Sequence, residues 1–324
     1  MIIIKNLDEI KRKFENAVVT IGNFDGVHLG HREIFRRVRD AAAVLNGMSV
    51  VITFNPHPLK LLPSRKSLRL ITTYEEKETL IAASGLDCLI VIPFTERFAA
   101  ITAEEFVRNV LLESVGMKKL IIGYDYAFGR NREGNVALLR RLGKDLGFEL
   151  EVLEPIGMGD LVYSSTGIRE MIGEGRVREV VSLLGRHYSL KGTVVHGHHR
   201  GMGLGFPTAN MKSDNELIPK NGVYAVKVNF DGKVLDGACN IGFNPTFGDN
   251  GTSIEVFIFD FQGEIYGREL NIYFIERIRD ERKFRDSAAL QDAIGRDVNR
   301  CMELLKRSKI IEYSESQGRV NSVD

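Results

Sequence analysis

The hydrophobic period of this sequence changes once along its length, near residue 186, and that change limits what the chain can fold into. Before it, short β-branched and aliphatic runs alternate with stretches of helical spacing. The runs are Val18–Gly22, Ser49–Phe54, Cys88–Pro93, Lys119–Gly123 and Phe148–Leu153. The helical stretches are Arg32–Leu45, Tyr74–Ala83, Ala103–Leu112, opened by a Thr102/Glu105 capping box, and Asn135–Leu146. Such alternation predicts βαβ units in a doubly wound, Rossmann-like parallel sheet covered on both faces. From Tyr188 to Ile278 the pattern becomes an apolar/polar alternation rich in glycine, with strand candidates Tyr188–Val195, Gly222–Asn229, Val234–Gly242, Thr252–Phe259 and Leu270–Arg277. Turns at Asp231-Gly232 and Gln262-Gly263 separate them, and the set predicts a small antiparallel β-barrel. A final amphipathic helix over about Ser287–Lys306 carries Leu290, Ile294, Val298 and Leu305 on one side. The expected organisation is therefore an α/β domain over 1–186, a β domain over 187–310 and a polar tail over 311–324.

Composition removes several function classes. Lys and Arg number 44 against 43 Asp and Glu, so no global field recruits nucleic acid or an anionic membrane. No apolar run is long enough to span a bilayer, and the N-terminal MIIIKNLDEI turns charged too soon for a secretory signal. Cys88, Cys239 and Cys301 lie far apart without metal-ligand spacing, which fits reduced thiols in a cytoplasm. The reading is a cytoplasmic protein, a monomer or weak homo-oligomer, whose partners are small molecules.

The chemistry is concentrated at strand ends. Residues 22–31 read GNFDGVHLGH, between the first strand and the first helix. Gly22, Gly26 and Gly30 let the backbone bend and approach a ligand, around Asn23, Phe24 and Asp25. His28 and His31 flank a helix N-terminus, where N–H groups and the dipole favour phosphate. The second strand runs into TFNPHP, which holds His57 on the same edge. The fourth runs into GYDYAFGRNREGN, where Asp125 sits among Tyr124, Tyr126 and Phe128, a plausible cradle for a flat ring. SSTGIREMIGEG follows: Ser164, Ser165 and Thr166 can cap a helix and Arg169 projects from its start, a phosphate clamp.

In the second half, residues 192–211 read GTVVHGHHRGMGLGFPTANM. Gly205 belongs to a close-approach loop that Pro207 stiffens. Thr208 and Asn210 offer a hydroxyl and an amide oxygen, ligands suited to Mg²⁺. His196, His198 and His199 invite a zinc reading, but no carboxylate or thiolate sits close by. Glu255 alternates with Ile254, Val256 and Ile258, and so shares a strand face with Phe257.

The HxGH within GNFDGVHLGH resembles the nucleotidyltransferase signature. The four separated motifs of the first half resemble the N-terminal module of the bifunctional riboflavin kinase/FAD synthetase family. LGFPTAN resembles that family's riboflavin kinase signature, with further matches at GVYAV 222–226, NIGFNPTFG 240–248, IEVFIFDF 254–261, YGREL 266–270 and IRDERKF 278–284. The resemblance implies phosphorylation of riboflavin to FMN and adenylylation of FMN to FAD, with ATP, ADP and pyrophosphate as the other small molecules. It implies His28 and His31 on the ATP phosphates, and Arg169 with Ser164–Thr166 on the leaving pyrophosphate. In the kinase it implies Glu255 as base, Thr208 and Asn210 on Mg²⁺, and Arg279, Arg282 and Phe284 closing over the flavin. The chain departs from the family pattern at Tyr124, Tyr126, Ala127, near Gly167, and at Met202 and Phe257. Two rival readings are an adenylyltransferase with a weakened kinase, given Met202, and a flavin sensor without turnover. The second is disfavoured by the presence of His28, His31, Thr208, Asn210 and Glu255 together.

Overall fold

Aliphatic strands flanked by helices build a six-stranded parallel sheet in the first half of the chain. Its strands are β1 (Ile2–Ile4), β2 (Ala17–Ile21), β3 (Ser49–Asn55), β4 (Cys88–Pro93), β5 (Met117–Gly123) and β6 (Glu149–Leu153). They lie in the order β1-β4-β3-β2-β5-β6. The computed structural model describes residues 1–61, 68–158, 161–196, 205–243, 251–313 and 320–323. The chain divides into two units, Met1–Ser165 and Thr166–Tyr313, the latter joined by Val320–Asp324.

Alternate side chains of the sheet are buried on its two faces. Val19, Ile21, Val50, Ile52 and Ile90 pack on one side, and Val18, Val51, Leu89 and Ile121 pack on the other with Phe35, Val38 and Ala42 of helix α1 (Leu29–Val44). Full burial of each large aliphatic side chain contributes about 1.5–3 kcal/mol. Helix α2 (Tyr74–Ala82) opens with a Thr73/Glu76 capping box. The next helical segment has the expected capping box at Thr102 and Glu105, but after Ala103–Glu105 it widens into a π-helix over Phe106–Val115. The wider turn sets Phe106, Val107, Val110, Leu111 and Val115 together against the sheet. Edge strand β1, which pairs Ile2–Ile4 with Cys88–Ile90, has no counterpart among the predicted strands.

The second unit begins with the helical residues of Ser165–Glu174 and Val177–Leu184 that follow Ser165. Six antiparallel strands then close a barrel: β7 (Ser189–Val195), β8 (Ala209–Ser213), β9 (Gly222–Phe230), β10 (Lys233–Phe243), β11 (Thr252–Ile258) and β12 (Glu269–Arg279). The order is β8-β11-β10-β9-β12-β7, with β7 pairing back onto β8. Asp231 and Gly232 both take positive φ, 51° and 76°, which matches the right-handed twist of a two-residue hairpin. Helix α3 (Ser287–Leu305), capped by Asp286, lays Val298, Cys301 and Leu305 over Ala225, Phe259 and Ile275. Beyond it, β13 (Ile310–Tyr313) pairs with β14 (Val320–Val323), so ordered strands occupy part of the expected polar tail. All three cysteines are buried and free. Among the described residues no helix is long and apolar enough to cross a membrane.

Candidate active sites

Strand β2 delivers loop 22–28 to the C-terminal edge of the sheet, at the point where strand order reverses between β3 and β5. Open parallel sheets bind ligands in that crevice. The loop is wound tightly. Gly26 sits at φ +80°, where an added Cβ would stand 2.9 Å from Ile71 Cδ1, and Phe24 and Val27 also take positive φ. A β-branched residue there costs on the order of 1–3 kcal/mol, so its surroundings must hold it. Asp25 does so. Its buried carboxylate accepts from the Ile71 amide at 3.1 and 3.2 Å and from Thr72 at 3.4 Å, while the Gly26 N–H donates to Thr72 Oγ1 at 3.3 Å. Asp25 thus shapes the loop through protein amides.

His28 is the N-cap of α1, and its Nδ1 accepts from the His31 N–H at 3.4 Å. An accepting Nδ1 places the proton on Nε2, which makes His28 the neutral Nε2–H tautomer. The two imidazoles stack with centroids 3.5 Å apart and planes 20° apart, and Phe24 stands edge-on to His31. Burial first, then His28 and Lys77, hold the His31 imidazole well below the usual histidine range. His31 Nδ1 is buried and has no hydrogen-bond partner among the described residues. Neutral imidazoles stacked at a helix N-terminus suit phosphate oxygens, which the dipole and free N–H groups of the first turn also favour.

The other predicted residues of this unit fall into two groups. Gly22 lies under the Phe24 ring, where an added Cβ would come within 2.9 Å, and the Asn23 carbonyl accepts from Thr53 Oγ1 at 3.2 Å. The Ser165 hydroxyl donates to the Asp25 carbonyl of the same loop at 2.9 Å. His57 is instead built into its own turn: its Nδ1 accepts from the Leu59 amide at 3.1 Å and its N–H donates to the Tyr74 hydroxyl at 2.8 Å. Asp125 and Ser164 are exposed. Thr166 and Arg169 lie on Ser165–Glu174, in the second unit.

Two features escape the sequence reading. Lys77 is buried in α2 and donates to Thr53 Oγ1 at 3.1 Å and to the Asn23 carbonyl at 3.3 Å. Aromatic rings also gather near the C-terminal ends of β3, β4 and β5. Phe54, Phe94 and Phe98 contact one another, Phe98 meets Phe106, Phe106 meets Phe128, and Tyr126 stacks on Phe128 at 5.3 Å. Tyr126 and Phe128 were identifiable from their loop; the phenylalanines of three other segments carry no local motif.

In the barrel, register builds the site. Asn210 of β8 lies opposite Glu255 of β11, and Asn240 of β10 lies opposite Glu255 on its other side. Directly opposed residues of antiparallel strands share a face, so two amides flank one carboxylate. Ile254, Val256 and Ile258 are buried on the alternate face, while Phe257 packs with Phe206, Phe259 and the α3 cluster. Thr208 immediately precedes β8, after Pro207 and Gly205. Arg279 ends β12 in a pair with Asp297 of α3, N–O 2.7 Å, and Arg279 and Arg282 both stand over the Phe284 ring. Thr208, Asn210 and Glu255 offer only hard oxygen donors, a set that fits Mg²⁺. Among the described residues no three His, Cys, Asp or Glu side chains could hold a metal ion. His196 stacks on Tyr266 at 4.1 Å. His198, His199 and Met202 lie outside the described residues.

Known proteins carry the same two halves in the same order. A family model described as FAD synthetase matches residues 10–167, and one described as riboflavin kinase matches 184–305. A bifunctional riboflavin kinase/FMN adenylyltransferase of Buchnera aphidicola is 34% identical over 92% of this chain and 96% of its own. Proteins of that name from Listeria monocytogenes and Escherichia coli K12 are 38% and 36% identical, each over 87% of this chain and 90% and 91% of their own. A crystal structure described as a macrolide-efflux protein from Streptococcus pneumoniae superposes with a TM-score of 0.84 at 34% identity, covering 93% of this chain and 98% of its own.

Proposed function

The chain belongs to the bifunctional riboflavin kinase/FMN adenylyltransferase family, and from that premise we propose how its residues divide the work. It converts riboflavin to FMN and FMN to FAD, using ATP in both steps. The functional boundary is assigned to 186/187, with adenylyl transfer before it and phosphorylation after it. What carries this assignment is the pair of distinct chemical settings on one chain: stacked imidazoles at a helix start, and a carboxylate between two amides on a barrel.

In adenylyl transfer an FMN phosphate oxygen attacks the α-phosphorus of ATP in line, and the bond to the bridging oxygen breaks to release pyrophosphate. No group on the protein need form a covalent bond, so catalysis rests on positioning and charge stabilisation. His28 and His31 contact the phosphate oxygens, and the Nε2–H of His28 donates as charge develops. Ser164 and Ser165, of the same unit, receive the pyrophosphate. Gly22, Asn23, Phe24 and Asp25 form the nucleotide loop, with His57 and Asp125 on the same strand edge. The aromatic cluster around Tyr126 and Phe128 supplies a wall for the flavin ring.

In the kinase the terminal ribityl hydroxyl attacks the γ-phosphorus and ADP leaves. Glu255 takes the hydroxyl proton, and Asn210 and Asn240 fix its orientation. Thr208 and Asn210 would hold Mg²⁺, which when bound neutralises charge on the transferring phosphoryl group. Gly205 and Pro207 shape the approach to Thr208, and Arg279, Arg282 and Phe284 close over the flavin. Free cysteines and a near-neutral charge support a cytoplasmic enzyme, which acts in this reading as a monomer or weak homo-oligomer. Incubation with riboflavin, ATP and Mg²⁺ tests the reading: FMN should form first and then convert to FAD. FAD from added FMN without FMN from riboflavin would refute the kinase assignment.

A further inference from the structure

Among the described residues Lys77 is the one buried lysine, at 6% exposure, and none of its three hydrogen bonds goes to a carboxylate. They go to the Asn23 carbonyl at 3.3 Å, Thr53 Oγ1 at 3.1 Å and the Phe54 carbonyl at 3.5 Å. Thr53 Oγ1 in turn donates to the same Asn23 carbonyl, at 3.2 Å. One ammonium therefore joins the nucleotide loop after β2 to the end of β3. Burying a lysine is costly, and a helix facing a sheet would ordinarily carry an aliphatic residue there, as α2 does four residues on at Ile81. The charges acting on Lys77 are Asp25 from the loop and Glu78 on its own helix, and Lys77 is itself the lysine charge that acts on His31. Burial draws the ammonium down to about 8, so it remains mainly charged at neutral pH.

We propose that Lys77 is a positioning residue for adenylyl transfer: it ties the Asn23 segment to the end of β3 and supplies a fixed positive charge beside the His28–His31 stack. The inference rests on the adenylyl-transfer assignment above. Tethered to neutral oxygens, the cation makes no direct ion pair and is only partly offset by Asp25 and Glu78, which suits a loop that receives phosphates.

The test is Lys77→Met in the full chain, which keeps side-chain length and removes donors and charge, with Lys77→Gln as a second variant. FAD formation from FMN should lose about 10-fold or more in kcat, the range expected when a positioned polar group is removed. The riboflavin kinase reaction of the same molecules is the internal standard. A purely structural role would leave the pH profile in place. Loss of the charge should instead move the acid limb of kcat/KM for FAD formation to higher pH, because His31 then protonates more readily. A kcat within twofold of the native chain in both variants, or a slowed reaction whose acid limb has not moved, would overturn the proposal. No FAD from the native chain would refute the adenylyl-transfer assignment and the inference with it.

Discussion

Acidification should loosen the barrel unit through one histidine, and the size of the effect follows from its contacts. His187 is 8% exposed, its N–H donates to the Ile311 carbonyl at 2.9 Å, and its Nδ1 accepts from the Ile311 N–H at 2.9 Å. The ring thus clasps β13 as the neutral Nε2–H tautomer. Burial pulls its pKa from 6.5 to about 4. As pH falls the unfolded chain takes up the proton first, so the contribution is complete above pH 6.5 and is lost between there and pH 4. The loss is about 2 kcal/mol by pH 5 and levels off near roughly 3.4 kcal/mol, at about 1.36 kcal/mol per pKa unit. His187→Asn retains an acceptor near Nδ1 but cannot titrate. Urea unfolding of both full chains at pH 7 and pH 5 isolates the effect, since His31 and the carboxylates are common to both. The native chain should lose about 2 kcal/mol more than the variant on going to pH 5. Equal pH dependence in the two proteins would refute the reasoning.

Two further outcomes follow from the sites. Gly26→Ala forces a side chain into positive φ against Ile71, a cost of about 1–2 kcal/mol, and initial rates should show FAD formation reduced while FMN formation persists. Asp297→Asn breaks the largely buried pair with Arg279 and should lower barrel-unit stability by roughly 1–3 kcal/mol in thermal unfolding, with a raised KM for riboflavin.

Much of this was legible in the sequence because periodicity reports burial. Cys88–Pro93 matches the predicted strand, and the other sheet strands begin or end within two residues of expectation. Among the strands that were missed, two have identifiable reasons. β1 has three residues, too few to show a period, and gains its place only by pairing with β4. β8 reads ANMKS, a poor strand by propensity, held by β7 on one side and β11 on the other. That pairing brings Asn210 opposite Glu255, so the register of the proposed kinase site lay in tertiary structure. Lys77 was missed because a lysine in YEEKETLIA reads as a solvated helix face. His28 and His31 stood out by local turn chemistry, whereas Glu255 was singled out by the family resemblance, alternation giving only its shared face with Phe257.

The central claim is that two independent sites on one chain perform successive reactions. Its most direct measurement compares Glu255→Gln with the double variant His28→Ala/His31→Ala, each assayed for FMN formation from riboflavin and for FAD formation from FMN. Glu255→Gln should slow FMN formation by about 10²–10⁴-fold, the usual contribution of a general base, and leave FAD formation near native. The histidine variant should do the reverse. A matched loss of both reactions in either protein, or near-native FAD formation without the two histidines, would contradict the account.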